Sequence, residues 1–321
     1  MTDSNLPLKW ADVAQFHAEA FSQDDWDEMY GVQPKVTMIW MTPDPLGALA
    51  SYNEMYEGNV IRSMADVTDE MRIKALENIQ KTHLQAPLEN IKLQFLFEGV
   101  DRAFTHQVVR QRTAVFAQES MRFAVKDDLE HSCSLPPSLF GTKATDPDTD
   151  YTYNSDEQKW RVKWDEVLRH IDQVYGELVN AGMPAEDARG LLPHCTATRM
   201  HMTTDMRNLI AHAGNRLCTQ AQFHWRSVFT QIVQQIRIHG ERDGVNGSDA
   251  WQYKAIANSA MFRPACYQLG HCPFKASFDR ACSIRSKVDR LSQAGVPSSE
   301  WEQEIPVGEW LFNPASARKA V

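Results

Sequence analysis

The sequence predicts a mixed α/β (α+β) fold in which long helices cover a small sheet. A short β-rich run spans residues 35–41 (KVTMIWM), and residues 91–97 alternate apolar and polar side chains, apart from Leu96, as in a half-buried strand. Apolar residues then recur at helical spacing between Trp160 and Leu178. The chain has 321 residues, 43% of them hydrophobic, which is enough to bury a sizeable core.

Strands and helices alternate in the first half of the chain. The turn Thr42-Pro43-Asp44-Pro45 ends the first strand, and Pro87 and Gly99 bracket the second. Between the two strands, Thr68 is predicted to cap a helix. The apolar face of that helix contains Met71, Ala75, Leu76 and Ile79. The helix after Gly99 has an apolar side formed by Val100, Ala103, Phe104 and Val108.

The second half is predicted to be mainly helical. Residues 127–157 are rich in Pro, Ser, Thr and Asp and predict a long surface loop. Gly182 closes the helix of residues 160–178, and Pro184 begins a short helix. We predict one long helix from Thr204 to His239, kinked at Gly214-Asn215, and a last helix over residues 283–291. The chain thus divides into an N-terminal extension (1–34), a core (35–240) and a C-terminal extension (241–321).

Composition excludes several classes of function. The net charge of −9 argues against broad nucleic-acid binding, which needs a cationic surface. No apolar run approaches the roughly 20 residues that span a bilayer, and the first residues do not resemble a signal peptide. The six cysteines form no Cys-X-X-Cys pair and are expected to be reduced, so we expect a cytoplasmic protein. No metal site is predicted, because no standard zinc spacing fits Cys266, His271, Cys272 and Cys282.

The block of residues 105–123 (THQVVRQRTAVFAQESMRF) combines arginines with amides. Helical spacing places Gln107 and Arg110 on one face, where an amide and a guanidinium can bind a planar polar ring or an anion. Ser120 and Arg122 offer a hydroxyl and a two-pronged donor to a phosphate. From the residues alone, a solvated charged helix end remains an open alternative.

A second block contains Arg189, Arg207 and Arg216. Arg216 lies next to the predicted apolar face of its helix. A guanidinium near the core needs a partner, because an unpaired buried charge is costly. The sequence alone is consistent with two such partners, a structural Glu or a bound nucleotide.

These residues carry a resemblance to a known family. Arg110-Gln111-Arg112 followed by Ser120 resembles the R-H-R-x7-S signature of flavin-dependent thymidylate synthases, with Gln111 in place of the His. Further segments of this chain resemble that family in the same order: Pro87-Leu88-Glu89-Asn90, Gly99 to Arg110, Arg189 with Leu192-Pro193, and Arg207 to Gln222. The resemblance covers roughly residues 35–235, and several weak motifs in series make it specific.

The resemblance implies an enzyme that converts dUMP to dTMP, with methylene-tetrahydrofolate as co-substrate, FAD as cofactor and NADPH as reductant. It implies a homotetramer with sites shared between subunits and no protein nucleophile, while charge and hydropathy, as above, predict no nucleic-acid or membrane partner. The implied catalytic residue is Arg216, beside the uracil ring. The implied dUMP-binding residues are Gln107, Arg110, Gln118, Glu119, Ser120, Met121, Arg122, Arg189 and Arg216. The implied FAD-binding residues are Ala86, Arg110, Gln111, Arg112, Gln118, Asp205 and Arg207.

The sequence departs from the family pattern at several of these positions. Gln111 is neutral where the signature has an imidazole that can be charged. Asp205 stands where the family usually has Asn, Ala117 where it often has Asn or Ser, and Phe123 replaces a common Tyr.

Three other interpretations compete with this one. A classical cysteine-dependent thymidylate synthase would use Cys195, because Pro193-His194-Cys195 superficially resembles its Pro-Cys-His motif in a different order. A non-catalytic nucleotide- or RNA-binding protein would use Arg110, Arg112 and Arg122, although the acidic balance disfavours it. The arginines would otherwise form ion pairs between subunits.

Overall fold

The computed structural model describes residues 32–82, 84–126, 128–136, 139, 155–218, 221–242, 250–259, 262–274, 285–297 and 301. Most of the predicted N-terminal extension and of the predicted 127–157 loop lies outside these residues, as do His83 and Cys282.

One antiparallel sheet organises the fold. Its four strands are β1 (Lys35–Met41), β2 (Lys92–Asp101), β3 (Val115–Gln118) and β4 (Ala197–Asp205). They lie in the order β1-β2-β4-β3, so β4 inserts between two strands that precede it in the chain. The predicted mixed fold with a small sheet is confirmed.

Eleven helices are described around this sheet. They are α1 (Pro45–Tyr56), α2 (Asp69–Lys81), α3 (Arg102–Val108), α4 (Leu129–Ser132), α5 (Ser155–Asn180), α6 (Ala185–Ala188), α7 (Met206–Arg216), α8 (Phe223–Arg242), α9 (Ala250–Asn258), α10 (Ala265–Leu269) and α11 (Arg285–Gln293). Short 3₁₀ turns occupy Met64–Asp66, Ala86–Asn90 and Arg189–Leu191.

The core lies between one face of the sheet and helix α8. Phe95 and Phe97 of β2 are almost fully buried, and they share one cluster with the α8 residues Val228, Ile232 and Ile236. Helix α9 joins the same cluster through Tyr253 and Ile256. A separate small cluster in the C-terminal part contains Tyr267, Val288, Leu291 and Trp301.

Several local predictions are confirmed. The Thr68 side chain accepts a hydrogen bond from the backbone N–H of Met71 and so caps α2. Helix α5 covers the predicted periodic stretch, and Gly182 follows it with a φ of 93°. Helix α6 begins one residue after Pro184.

The predicted long helix from Thr204 to His239 is wrong. Strand β4 runs to Asp205, α7 ends at Arg216, and α8 starts only at Phe223. Asp205 accepts the hydrogen bond from the backbone N–H of Asn208 and thereby fixes the start of α7. Helices α7 and α8 are therefore two separate helices rather than one.

The predicted shared helical face of Gln107 and Arg110 is also wrong. Helix α3 ends at Val108, and the backbone N–H of Arg110 donates to the carbonyl of Gln107 at 3.2 Å, a tight i−3 bond that closes the helix. Val100, predicted to be helical, belongs to β2.

The outer edge of β1 is covered by two glutamine side chains from α8. The backbone N–H groups of Val36 and Met38 donate to Gln231 Oε1 at 3.0 Å and Gln235 Oε1 at 3.2 Å. Gln231 Nε2 donates in turn to the carbonyl of Pro34 at 2.7 Å. Because residues i and i+4 lie on one face of a helix, both amides reach alternate residues of the strand.

Gly99 does not end the second strand as predicted but forms an irregularity inside it. The β2–β4 register shifts between Phe97 and Val100, and Gly99 has a φ of 65°. A Cβ at this position would lie 2.3 Å from the carbonyl oxygen of Gln33. Only glycine fits both the backbone conformation and the close approach.

We expect Gly99→Ala to destabilise the protein by roughly 1–3 kcal/mol, because the clash is with backbone and the conformation is left-handed. Thermal unfolding at fixed protein concentration measures the change. The control is Gly176→Ala in the middle of α5, where a Cβ meets no atom within 4 Å. That change should stabilise by about 0.5–1 kcal/mol. An unchanged midpoint for Gly99→Ala would contradict the strain at this position.

Candidate functional site

A buried tryptophan contacts two polar side chains, Gln107 and Arg216, that lie far apart in the chain. Trp225, 1% exposed, lies in the first turns of α8. Its indole Nε1–H donates to Gln107 Oε1 at 2.9 Å, and its ring centroid lies 4.4 Å from Cζ of Arg216. Gln107 Nε2 donates to Gln222 Oε1. We call Gln107, Arg216, Gln222 and Trp225 the Trp225 cluster.

Arg216 is a half-buried cation at the C-terminal end of α7. Burial lowers the pKa of its guanidinium, although an arginine remains charged at neutral pH. Its Nε is buried without a hydrogen-bond partner, and no carboxylate pairs with it among the residues that the structure describes. Within the described residues, Arg216 and Arg189 form no ion pair with an aspartate, whereas Arg72 and Arg161 each form one. The site therefore holds a positive charge that an anionic or electron-rich ligand can satisfy.

A buried Asp–His–Ser chain fixes the elements behind this cluster. Asp101 Oδ1 accepts from the backbone N–H of Phe104 at 2.6 Å and caps α3. Asp101 Oδ2 lies 3.0 Å from His224 Nδ1, and His224 Nε2 lies 2.7 Å from Ser134 Oγ. Because a carboxylate only accepts, Nδ1 carries the proton. The order of groups resembles a hydrolytic triad, but Ser134 is 2% exposed, so its role is structural.

Arg122 and Arg189 both bind Glu186, and Arg102 lies near Arg189; we call these three residues the arginine cluster. Arg122 donates from Nε at 2.9 Å and pairs from Nη2 at 2.8 Å with Glu186 Oε2. Arg189 Nε donates to the backbone carbonyl of Glu186 at 3.0 Å. Burial, and then the nearby charge of Arg189, lowers the pKa of Arg102. Three guanidinium groups with one carboxylate make this a site for a phosphate-like anion.

The segment of residues 118–121 borders the sheet. Gln118 Nε2 donates to Thr105 Oγ1 at 3.3 Å, and Ser120 is exposed, with its Oγ accepting from the backbone N–H of Arg122 at 3.3 Å. Glu119 pairs with Lys126 Nζ at 3.0 Å. Burial acts to raise the pKa of the Glu119 carboxyl, but the hydrogen bond and charge of Lys126, the charge of Arg199 and the bond from Thr198 together lower it. Met121 is buried.

A third patch lies where α7 meets the 3₁₀ turn of residues 86–90. Arg207 Nη1 pairs with Glu89 Oε1, close to the exposed Ala86. Asp205 is 7% exposed, and its carboxylate is engaged by Asn208 Nδ2 at 2.8 Å and by Lys92 Nζ at 3.5 Å. A ligand at Asp205 would therefore compete with bonds that cap α7.

Residues 110–112 lie in the connection between α3 and β3. Arg110 and Arg112 are exposed, and neither forms an ion pair within the described residues. Gln111 is 6% exposed, and its Nε2 has no hydrogen-bond partner there. The amide does not face solvent, so it holds an N–H donor ready for an acceptor that the described chain does not supply.

The thiols of Cys133 and Cys195 form a hydrogen-bonded pair. The bond to Cys195, together with burial, raises the pKa of Cys133, while the bond from Cys133 lowers the pKa of Cys195. The backbone N–H of Ser134 donates to the carbonyl of Cys195 at 2.8 Å. Cys195 packs with Cys133, Leu129 and Leu168 in a small apolar cluster.

The structure brings some of the sequence-predicted residues together and leaves others apart. Gln107 contacts the same tryptophan as Arg216, and Arg122 and Arg189 both bind Glu186. Arg110 and Arg112 contact none of these groups through a described side-chain bond. Sequence reasoning missed Trp225, Glu186 and Arg102. Gln222 is the last residue of a segment that resembles the family, but no local sequence pattern distinguishes Trp225 from the other eight tryptophans.

The described residues contain neither a metal-binding cluster nor a membrane-spanning helix. Among the described residues, no group of three or more His, Cys, Asp or Glu side chains is arranged to hold a metal ion. Within the same residues, every helix is too short or too polar to cross a bilayer.

Comparison with known proteins gives a consistent result. The family model described as thymidylate synthase complementing protein matches residues 41–239. The flavin-dependent thymidylate synthase of Pyrococcus furiosus is 27% identical over 269 residues, which cover 81% of this chain and 98% of that protein. The enzyme of the same name from Geobacter sulfurreducens is 28% identical over 207 residues, covering 63% of this chain and 82% of that one.

A solved structure has the same fold. It is the UMP/dUMP methylase PolB from Streptomyces cacaoi, bound with 5-Br dUMP. The two structures superpose with a TM-score of 0.53 at 16% sequence identity, over 71% of this chain and 98% of the other.

The arginine cluster generates a prediction about anion binding. Glu186→Gln should tighten the binding of inorganic phosphate by about two- to fivefold at low ionic strength, because it removes the negative charge that competes for Arg122. The matched control is Glu177→Gln on α5, whose carboxylate accepts a hydrogen bond from Gln173 Nε2 at 2.8 Å and lies outside the arginine cluster. Calorimetric titration with phosphate measures both variants. Weaker or unchanged binding in Glu186→Gln would contradict an anion site here.

Proposed function

The chain belongs to the thymidylate synthase complementing protein family, whose model matches more than half of its residues, and from this membership we propose that it is a flavin-dependent thymidylate synthase. The enzyme converts dUMP to dTMP with methylene-tetrahydrofolate as carbon donor. Reduced FAD supplies the hydride that completes the methyl group, and NADPH regenerates it. The remaining chemistry is binding, orientation and electrostatics, which this chain's own residues provide.

The observation that carries the proposal is the unneutralised guanidinium of Arg216. In the proposed complex it lies against the uracil ring and favours ionisation at N3, which makes C5 a better nucleophile. The C5 proton is lost and the transferred carbon takes its place, so no protein nucleophile is required. By analogy with oxyanion-hole donors, such a cation contributes ~3–4 kcal/mol to stabilising the developing anion.

The nucleotide phosphate is assigned to the arginine cluster. Arg122 and Arg189 bind it, with Ser120 as a neutral donor, and Gln107 donates to the same nucleotide. Arg122 exchanges Glu186 for the phosphate when dUMP binds, since both are anions and the phosphate accepts more hydrogen bonds. Arg110, Gln118, Glu119 and Met121 complete the proposed dUMP site.

FAD is assigned to the residues that the family signature marks: Ala86, Arg110, Gln111, Arg112, Gln118, Asp205 and Arg207. The fit rests on Gln111, whose buried Nε2 lacks a described partner, and on the exposed cations Arg110 and Arg112, which suit a pyrophosphate. Asp205 fits less well, because Asn208 and Lys92 already bind its carboxylate.

We propose a homotetramer in which neighbouring subunits complete each site. Two large apolar side chains near β3 are strongly exposed in the single chain, Val115 at 74% and Phe123 at 83%. Burying them against another subunit would remove apolar surface from water. Residues 35–240 form the catalytic core in this proposal. A cytoplasmic location is proposed from the expected reduced state of the cysteines.

The cysteine-dependent alternative fits the site less well. Cys195 packs in an apolar cluster. Its thiol is hydrogen-bonded to the thiol of Cys133 rather than to a catalytic base. A non-catalytic nucleotide-binding protein would use the same arginines, so the two functions are separated by turnover alone.

The first test of this function is cofactor dependence. Tritium release from dUMP labelled at C5 should require FAD, NADPH and methylene-tetrahydrofolate together, because the hydride comes from the flavin. The purified protein should also show an oxidised-flavin absorbance spectrum. Undiminished turnover after complete removal of flavin would rule out the proposed chemistry, and dUMP binding without any turnover would favour the non-catalytic alternative.

The second test separates the arginine mechanism from the cysteine mechanism. Arg216→Ala should lower turnover by ~10²-fold or more, since it removes the charge beside the uracil anion. Cys195→Ala should leave turnover nearly intact. Both variants are compared at matched flavin content and thermal stability. Loss of activity in Cys195→Ala alone would instead identify a cysteine nucleophile.

A further inference from the structure

The indole of Trp225 determines whether the oxygen or the nitrogen of the Gln107 amide is available to a ligand. An indole N–H can only donate, so its partner at 2.9 Å must be the amide oxygen of Gln107. The nitrogen of that amide must then point the other way, where it donates to Gln222 Oε1. An amide nitrogen carries two hydrogens, so one N–H of the half-buried Gln107 is left for a ligand.

The face of the same indole supports Arg216. The guanidinium carbon lies 4.4 Å from the ring centroid, within the range of a cation–π contact. Phe104 and Phe229 pack against the same ring, with centroid distances of 4.7 Å and 5.8 Å. One rigid side chain therefore sets the orientation of two polar groups that lie 109 residues apart in the chain.

We propose that Trp225 is a positioning residue for the nucleotide: its N–H locks Gln107 as a hydrogen-bond donor, and its ring face supports the Arg216 guanidinium against the uracil. This inference rests on the proposed function, which assigns Gln107 and Arg216 to dUMP. Trp225 is 1% exposed, so it acts through these two side chains and does not touch the substrate itself.

The locked orientation defines what Gln107 recognises. A donating amide suits an oxygen that only accepts, either a uracil carbonyl or a phosphate oxygen. A flipped amide would present its own carbonyl to that oxygen, and the two would repel. Trp225 removes the flipped state before the ligand arrives, which lowers the cost of ordering on binding.

The test uses two substitutions at Trp225 that remove its functions in turn. Trp225→Phe keeps an aromatic face under Arg216 but loses the N–H, so dUMP should bind about three- to tenfold more weakly while kcat stays close to wild type. Trp225→Leu also loses the aromatic face and should lower kcat in addition. Phe262→Leu is the matched control, because Phe262 is buried in the same cluster without a described contact to Trp225, Gln107 or Arg216. Titration of the FAD-loaded protein with dUMP and steady-state kinetics give these values.

A double-mutant cycle distinguishes positioning from a merely structural role. In a Gln107→Ala background, Trp225→Phe should no longer change the affinity for dUMP, because its effect passes through that amide. An equal loss in both backgrounds, an unchanged affinity in Trp225→Phe, or an equal loss in Phe262→Leu would each overturn the proposal.

Gln107→Glu tests the donor role without altering Trp225. Its carboxylate can still accept from the indole but has no N–H to offer, so dUMP should bind at least tenfold more weakly than to wild type and more weakly than to Gln107→Ala. Wild-type affinity in Gln107→Glu would overturn the proposal even if the Trp225 variants failed to fold. Deoxyuridine identifies the oxygen: an effect of Trp225→Phe that persists without the phosphate assigns it to the base.

The same titrations separate this inference from the proposed function. Wild-type protein that neither binds nor turns over dUMP would overturn both. Wild-type protein that binds and converts dUMP, while Trp225→Phe behaves identically, would overturn the role of Trp225 alone.

Discussion

The buried carboxylate of Asp101 holds the elements of the site in place. It is 7% exposed and accepts from the backbone of α3 at Phe104 and from His224 at the start of α8. A buried charge is tolerated only when it is fully paired, so strand β2 and both helices must meet at this point. Gln107 lies on the first of these helices, and Trp225 follows His224 on the second. The distance across the Trp225 cluster is therefore fixed by a residue that belongs to neither proposed ligand site.

Local chemistry predicted much of the fold, and long-range contacts account for most of what was missed. The strands at residues 35–41 and 91–97, the cap at Thr68 and helix α5 follow from short-range patterns that tertiary structure preserves. Strand β4 (ATRMHMTTD) escaped prediction because its mixed polar and methionine pattern runs directly into a helix, and β3 has only four residues. Trp225 meets Gln107 across 118 residues, so no window along the chain contains that contact.

The site also shows how an acidic protein can accommodate an anion. The chain carries a net charge of −9, yet Arg216 has no carboxylate partner among the described residues, and Arg122 is the arginine of its cluster that pairs with the Glu186 carboxylate. Elsewhere, Arg72 pairs with Asp44 at 2.7 Å and Arg161 with Asp165 at 2.8 Å. Local pairing, rather than total charge, sets the potential in a pocket, because solvent screens distant charges within about 10 Å at 0.1 M salt. The global acidity argues against a broad nucleic-acid surface, but it is compatible with binding a single nucleotide.

The glutamines that cover strand β1 have a consequence for how copies of the chain associate. Val36 and Met38 would otherwise present free N–H groups along an edge, which is the template for adding a strand from a neighbouring molecule. With Gln231 and Gln235 bound there, stacking of sheets edge to edge is blocked on this side, and the opposite edge strand is only four residues long. Growth into an open filament is thereby disfavoured, and self-association is directed to side-chain surfaces that can close into a finite assembly.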